Sequence, residues 1–265
     1  MPIEFSLELS AENPVLFPLF TGYVSRGLLL HMLRHVDPSV SASLHEPDKV
    51  KPYSVTPIRF RSKGRVGDKY ILDETKPCSV SFRFLNDELA TVLLKYLCEG
   101  GNPLIYDVKF RIDSVRVRSE SYDDILGVPR EPAAHINLRF ITPTYLAALG
   151  TDYHYMFPDP VKVFMNLMRL WNSFSDGRRF GSEEQREYMD WLTKNVGVSK
   201  YRLETTIAYM REKKATGFTG WIEYELGADD EWNNITQALA KFAEYSNIGG
   251  NRTGGFGVTR AKIEV

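Results

Sequence analysis

The sequence predicts an α+β protein in which one pattern, strand–helix–strand–strand–helix–strand, runs twice along the chain. Three observations carry that expectation. Short segments that alternate apolar and polar residues recur beside segments whose apolar residues lie three and four apart. Clusters of Gly, Pro and Asn separate these segments. A polar stretch with two prolines, residues 119–133, divides the two series.

In the first series, Pro2–Ser10 alternates as a half-buried strand does. Between Phe17 and Val36 the residues Leu28, Leu29, Met32 and Val36 follow helical spacing, and Asp37-Pro38 marks a break. Tyr53–Phe60 and Lys69–Leu72 read as strands joined by the turn-rich Ser62–Gly67, and Cys78–Phe84 as a further strand. Asn86 caps a helix to Leu97, which Gly100-Gly101-Asn102-Pro103 ends. Leu104–Arg118 is a long strand or a strand pair.

Residues 119–133 read as a linker, and the pattern then restarts. His135–Thr142 is a strand. Asp159-Pro160 opens an amphipathic helix to Phe174, with Val163, Phe164, Leu167, Met168 and Trp171 on one face. Ser182–Lys194 is an inserted helix, Lys200–Met210 and Gly217–Leu226 a hairpin, Asp229–Tyr245 a helix and Phe256–Val265 a final strand. Each βαββαβ run is a split βαβ, so the expected fold is a tandem ferredoxin-like protein, with domains at 1–120 and 133–265. That superfold hosts many activities, and function has to be argued from the site.

A chain of 265 residues accommodates two domains of ordinary size, and 43% hydrophobic with 25% charged residues is a globular composition. No apolar run approaches the roughly 18 residues of a membrane helix. The start, MPIEFSLELSAEN, has no basic segment followed by an apolar block, so a cytoplasmic protein with no membrane partner is expected. Cys78 and Cys98 fall on a strand and a helix without metal-ligand spacing and read as a reduced pair. The net charge of −1 does not announce a nucleic-acid binder, yet the bases cluster. Between His45 and Lys69, seven of them (Lys49, Lys51, Arg59, Arg61, Lys63, Arg65, Lys69) face three acids, and Lys109–Arg118 holds four against one. Either run alone reads first as a solvated face, and the two together bring a nucleic-acid surface level with that reading.

The strongest local signal is Ile248–Val258, with glycine at 249, 250, 254, 255 and 257. Such a loop can take positive φ, approach another chain closely, and line an anion site with successive N–H groups. Arg252 and Phe256 set it apart from a plain linker. It lacks the Gly-Lys-Ser/Thr ending of a Walker loop and precedes a strand rather than a helix. His31 and His35 have i, i+4 spacing but no intervening glutamate, and no further ligand cluster is in view, so neither a metal nor a cofactor is expected. His135 and His154 read as structural or surface groups.

The glycine-rich loop resembles the C-terminal motif of the CRISPR repeat-processing endoribonucleases, members of the RAMP superfamily, whose domains are ferredoxin-like (RRM-like). Ala243-Glu244-Tyr245-Ser246-Asn247-Ile248 is similar to that family's lead into its loop. So is Tyr155-Met156-Phe157-Pro158-Asp159-Pro160, ahead of the helix ending Leu170-Trp171-Asn172. Leu44-His45-Glu46 followed by Lys51-Pro52-Tyr53-Ser54-Val55 resembles its catalytic-histidine segment.

The resemblance implies a metal-independent endoribonuclease that cleaves precursor CRISPR RNA within each repeat. A 2′-OH would attack its own phosphate, giving a 2′,3′-cyclic phosphate (or 3′-phosphate) and a 5′-hydroxyl. His45 becomes the general acid/base, since histidine titrates near neutrality, and Lys51 the group that neutralises the crowded phosphate or acts as acid. RNA contacts are expected at Gly249, Gly250, Arg252, Gly254, Gly255 and Gly257, at Arg59, Arg61, Lys63 and Arg65, and at Arg178 and Arg179. Repeat RNA is the implied partner; other effector-complex subunits and a homodimer stay open.

One position departs from the pattern. Related enzymes can carry a tyrosine on the first helix, and the matching position, counted from Gly27, is Leu30, which cannot transfer a proton. His31 is turned to another face, and Tyr23, roughly two turns earlier, is the weaker substitute. Leu30 keeps open a non-catalytic repeat-binding or effector-complex subunit. The near-neutral charge keeps open a small-molecule-binding ferredoxin-like regulator.

Overall fold

A computed structural model of the chain describes residues 1–44, 46, 49–127, 131–147, 151, 153–210, 213–227 and 231–265. The first half contains β1 (Ile3–Ala11), β2 (Leu16–Pro18), α1 (Gly22–Val36), α2 (Pro38–Ser43), β3 (Tyr53–Val55), β4 (Ser62–Val66), β5 (Lys69–Leu72), β6 (Cys78–Phe84), α3 (Asp87–Cys98), β7 (Leu104–Ile105) and β8 (Val108–Ser119). The second contains α4 (Tyr122–Leu126), β9 (His135–Thr144), β10 (Leu146–Ala147), β11 (His154–Tyr155), α5 (Pro160–Phe174), α6 (Ser182–Asn195), β12 (Val196–Met210), β13 (Lys213–Leu226), α7 (Glu231–Ser246), a 3-10 turn (Arg252–Gly254) and β14 (Thr259–Glu264).

The two main sheets repeat one topology. The first has the order β3-β6-β1-β8-β7 and the second β12-β13-β9-β14, with every pairing antiparallel. Taken by their place in each βαββαβ run, the four principal strands lie in the order second, third, first, fourth in both sheets. The fold is tandem ferredoxin-like, as the sequence pattern predicts. Period-two alternation explains the first core: Phe5, Leu7 and Leu9 of β1 and Val80, Phe82 and Phe84 of β6 are buried under Leu28, Leu29 and Met32 of α1 and Leu93 of α3. The second core sets Phe164, Leu167 and Trp171 of α5 and Leu239 and Phe242 of α7 against Leu138 and Ile222 of the sheet. Each such side chain contributes about 1.5–3 kcal/mol by leaving water.

Several elements differ from expectation for identifiable reasons. The linker stretch contains α4, whose Ser121 and Asp124 form a capping box and whose Tyr122 and Ile125 enter the second core. The Ser62–Gly67 turn is mostly strand: β4 pairs with β5, and only Gly67, at φ +60°, turns the chain. The strand at Tyr53–Phe60 ends at Val55; Pro57 lacks an N–H, and the ladder resumes only as a bridge between Arg59 and Ser79. Phe17 belongs to β2, and the helix begins only at Gly22. Asp37-Pro38 opens α2, with the Asp37 carboxylate accepting from the Ser39 and Val40 N–H groups. No helix among the described residues is long and apolar enough to cross a membrane.

Candidate active site around the glycine-rich loop

The connection from α7 to β14 is folded into the protein rather than over it. Its shape follows from its glycines and two asparagines. Asn247, Gly249, Asn251, Gly255 and Gly257 all have positive φ. At Gly257 a Cβ would lie 1.8 Å from the Ile248 carbonyl oxygen, and at Gly249 2.1 Å from that of Tyr145. Gly254 sets its carbonyl against the first turn of α1, where a Cβ on Gly22 would come within 2.0 Å of the Gly254 oxygen. The glycines permit close approach, and what approaches is this chain's own backbone.

Hydrogen bonds fasten the loop to both halves. The Gly250 N–H donates to Tyr145 O at 3.0 Å and the Gly257 N–H to Pro143 O at 3.1 Å, both in the second half. Asn247 is the bridge to the first. Its amide donates to Val55 O at 3.2 Å and Phe256 O at 2.9 Å, while its Oδ1 accepts from Arg83 Nη1 at 2.8 Å. Arg83, itself 1% exposed, is ion-paired with Glu4; burial lowers its pKa and the Glu4 carboxylate opposes that shift. The Ser54 hydroxyl donates to Tyr245 O at 2.8 Å.

Arg252 is 7% exposed, and its guanidinium donates to Ser246 O at 2.8 Å and to Lys51 O at 3.0 Å. Burial, with the Arg169 charge nearby, brings its pKa down to about 10. Its placement departs from the expected phosphate contact, because the guanidinium is turned inward onto two carbonyls. The result joins two sequence candidates: the glycine loop holds the backbone of Lys51. The half-buried Lys51 ammonium donates to Glu46 O. His45 lies outside the described residues; its neighbour Leu44 is buried.

Sequence reasoning missed four groups here. Tyr53 is fully buried, and burial raises its pKa while Arg26 and Arg252 oppose the shift. Arg26 lies one helical turn before Leu30, so both project from one face of α1. Arg169 on α5 adds a further positive charge. Asn247 was legible only as part of a motif. Helical spacing from Leu30 was the available signal for Arg26; contacts between residues nearly 200 positions apart leave none. Tyr23, by contrast, does reach the loop: Asn251 Nδ2 donates to its hydroxyl at 2.6 Å.

The other expected RNA contacts lie elsewhere. Arg59, Arg61, Lys63 and Arg65 are exposed on the β4–β5 side of the first half, with Lys63 paired to Glu74 at 2.5 Å and Arg65 Nε bonded to Gly67 O at 2.6 Å. Arg178 pairs with Glu231 at 2.9 Å and Glu184 at 3.1 Å, and Arg179 Nε donates to Ser175 O at 3.0 Å. Arg59 alone of these reaches the seam between halves, where it lines a cleft of about 80 Å³ with Arg260 and Arg83. Among the described residues no group of three or more His, Cys, Asp or Glu side chains could hold a metal ion.

A doubled split-βαβ fold with an inward-bolted glycine loop before its last strand is a RAMP-like fold. Residues 138–259 match the family described as CRISPR-associated endoribonuclease Cas6. A curated relative, the CRISPR-associated endoribonuclease Cas6 of Streptococcus thermophilus, is 22% identical over 151 residues, 56% of this chain and 60% of the relative's own length. The chain is similar over 99% of both lengths to a solved Cas6 product complex (TM-score 0.80, 22% identity). It is also similar to a structure described as a RAMP protein binding different RNA substrates (TM-score 0.60, 13% identity, 98% of this chain and 99% of that one). The match to the Cas6 family covers under half of this chain.

Proposed function

We propose that this chain is a metal-independent endoribonuclease that binds CRISPR repeat RNA and cuts the precursor once within each repeat. The observation that carries the reading is the Arg252 bond to the Lys51 carbonyl. It couples the family's loop to the segment that supplies the catalytic candidates. Around it, Arg26 and Arg169 add positive charge where a phosphate gaining charge during 2′-OH attack would be stabilised. His45 exchanges the protons, Lys51 meets the phosphate, and Arg252 acts as a positioning residue beneath them. The loop shapes the site rather than cradling RNA with its glycines. Repeat RNA incubated in EDTA tests this: the expected products carry 2′,3′-cyclic phosphate and 5′-hydroxyl ends, and a 2′-deoxy nucleotide at the cut should stop cleavage while leaving binding intact. Loss of cleavage in EDTA with rescue by magnesium would overturn the mechanism.

The second reading is a repeat-binding subunit without activity, and Leu30 favours it. Its side chain packs against the first core and offers no proton. Repeat RNA bound tightly but left uncut after long single-turnover incubation would select that reading.

A further inference from the structure

A pocket of about 260 Å³ opens beside the glycine loop, between the start of α1, β7 and the tip of the β12–β13 hairpin. Phe20, Tyr23, Gly27, Leu28, Tyr106 and Tyr209 line it. One wall is built into the loop assembly. Tyr23 accepts the Asn251 amide, and the Phe20 ring meets Phe256 edge-on with centroids 4.9 Å apart. The other wall is open: Tyr106 is 56% and Tyr209 64% exposed. Tyr106 sits in the β7–β8 turn at φ +53°, a left-handed conformation uncommon for a tyrosine, and its ring leans on Phe17 at 6.3 Å.

Aromatic rings facing a concave opening, with hydroxyls at their tips, match a flat ligand that has π faces and a hydrogen-bonding edge. An unpaired nucleobase is such a ligand. Charge agrees with an attached phosphate: Lys214 is directly opposite Tyr209 in the hairpin and shares its face. A more open groove continues outward past Pro14 and Lys69, but Asp68 and Asp107 line it too and would oppose a phosphate there.

We propose that this pocket takes one unstacked nucleobase of the repeat RNA, next to the cleaved phosphodiester, against Tyr23, Tyr106 and Tyr209. The proposal rests on the endoribonuclease reading and deepens it, because a base seated here would register the cut against the loop.

Gly27 provides a test that does not threaten folding. It is exposed on α1, and a Cβ there meets nothing within 4 Å, so Gly27→Leu fills the pocket while raising helix propensity. Repeat RNAs with an abasic site at each nucleotide around the cut would be cleaved under single-turnover conditions by wild type, Gly27→Leu and Tyr209→Ala. Wild type should lose about tenfold or more at one abasic position, the scale of one base–aromatic stack. Both variants should lose a similar factor on intact RNA and become indifferent to that position, with unchanged or raised thermal midpoints for Gly27→Leu. If wild type cuts every abasic RNA equally, or Gly27→Leu cuts intact RNA at the wild-type rate, the pocket holds no base although the nuclease stands. If wild type neither binds nor cuts intact repeat RNA, the nuclease reading falls and this one with it.

Discussion

The two halves share one strand order, yet the connection between last helix and last strand is built in opposite ways. From α3 to β8 the chain runs outward through Gly100, Gly101 and the small β7–β8 turn, and Gly100, Asn102, Leu104, Tyr106 and Asp107 are all exposed. From α7 to β14 it turns inward, and Arg252 and Gly254–Val258 are buried. Equivalent places in a repeated topology therefore carry different burdens. The fold fixes where the connection begins and ends, and the local residues decide whether it becomes a surface turn or the keystone of a site.

The proposed chemistry belongs where the second half's connection meets Lys51, Ser54 and Val55 of the first half. The largest effect is expected there. A positioned general acid or base is worth about 10²–10⁴-fold in rate. His45→Ala should lower single-turnover cleavage by at least about a hundredfold while repeat affinity stays within severalfold. Wild-type cleavage rates from His45→Ala would move the active site elsewhere.

Two glycines with the same φ of +70° sharpen the contrast. A Cβ on Gly100 meets nothing within 4 Å, so Gly100→Ala should cost only the left-handed penalty of about 1–2 kcal/mol. On Gly257 the same carbon lies 1.8 Å from Ile248 O, and Gly257→Ala should cost about 3 kcal/mol or more by denaturant unfolding. Equal losses would mean that the two connections are under the same constraint.

Arg252→Ala should cost roughly 2 kcal/mol, because two buried carbonyls lose a charged donor while the penalty of burying the guanidinium is relieved. It should slow cleavage without changing the salt dependence of RNA binding. Arg59→Ala, exposed at the seam, should reduce the salt slope by about one. A reduced slope for Arg252→Ala would return that residue to the RNA.

The smallest effect lies in the first half alone. Burial pushes the Cys78 thiol from 9.0 up to about 12. Below about pH 8 the thiol is protonated in both states and contributes no pH dependence. Between 9.0 and about 12 the unfolded chain releases a proton that the native state keeps, so stability falls as pH rises. In the native protein a thiol reagent should titrate only exposed Cys98, and both thiols after denaturation.

Much of this arrangement was legible because it is periodic. Cys78–Phe84 and Pro160–Phe174 have the bounds that alternation and helical spacing give them. Helix α4 was legible in principle through Ser121 and Asp124, but its five residues are too few for periodicity to register. The shortness of β3 was written in Pro57. What no local pattern could show was the direction of Arg252. An arginine in a glycine loop reads as a hand held out to phosphate; only the fold reveals the carbonyls behind it. Tyr53 and Arg169 escaped for the same reason, since their partners lie on other elements of the chain.

Ser54 and Tyr245 are bonded across 191 positions, and Arg83 and Asn247 across 164. During synthesis the whole first sheet can form and wait, with its histidine segment already emerged, while no part of the loop yet exists. The keystone is made after the first sheet and seats against structure formed long before. A ribosome that stalls or stops before residue 247 would thus leave the first sheet without Asn247 to bridge it to the second half, and no candidate site is assembled until residues 247–258 have been made.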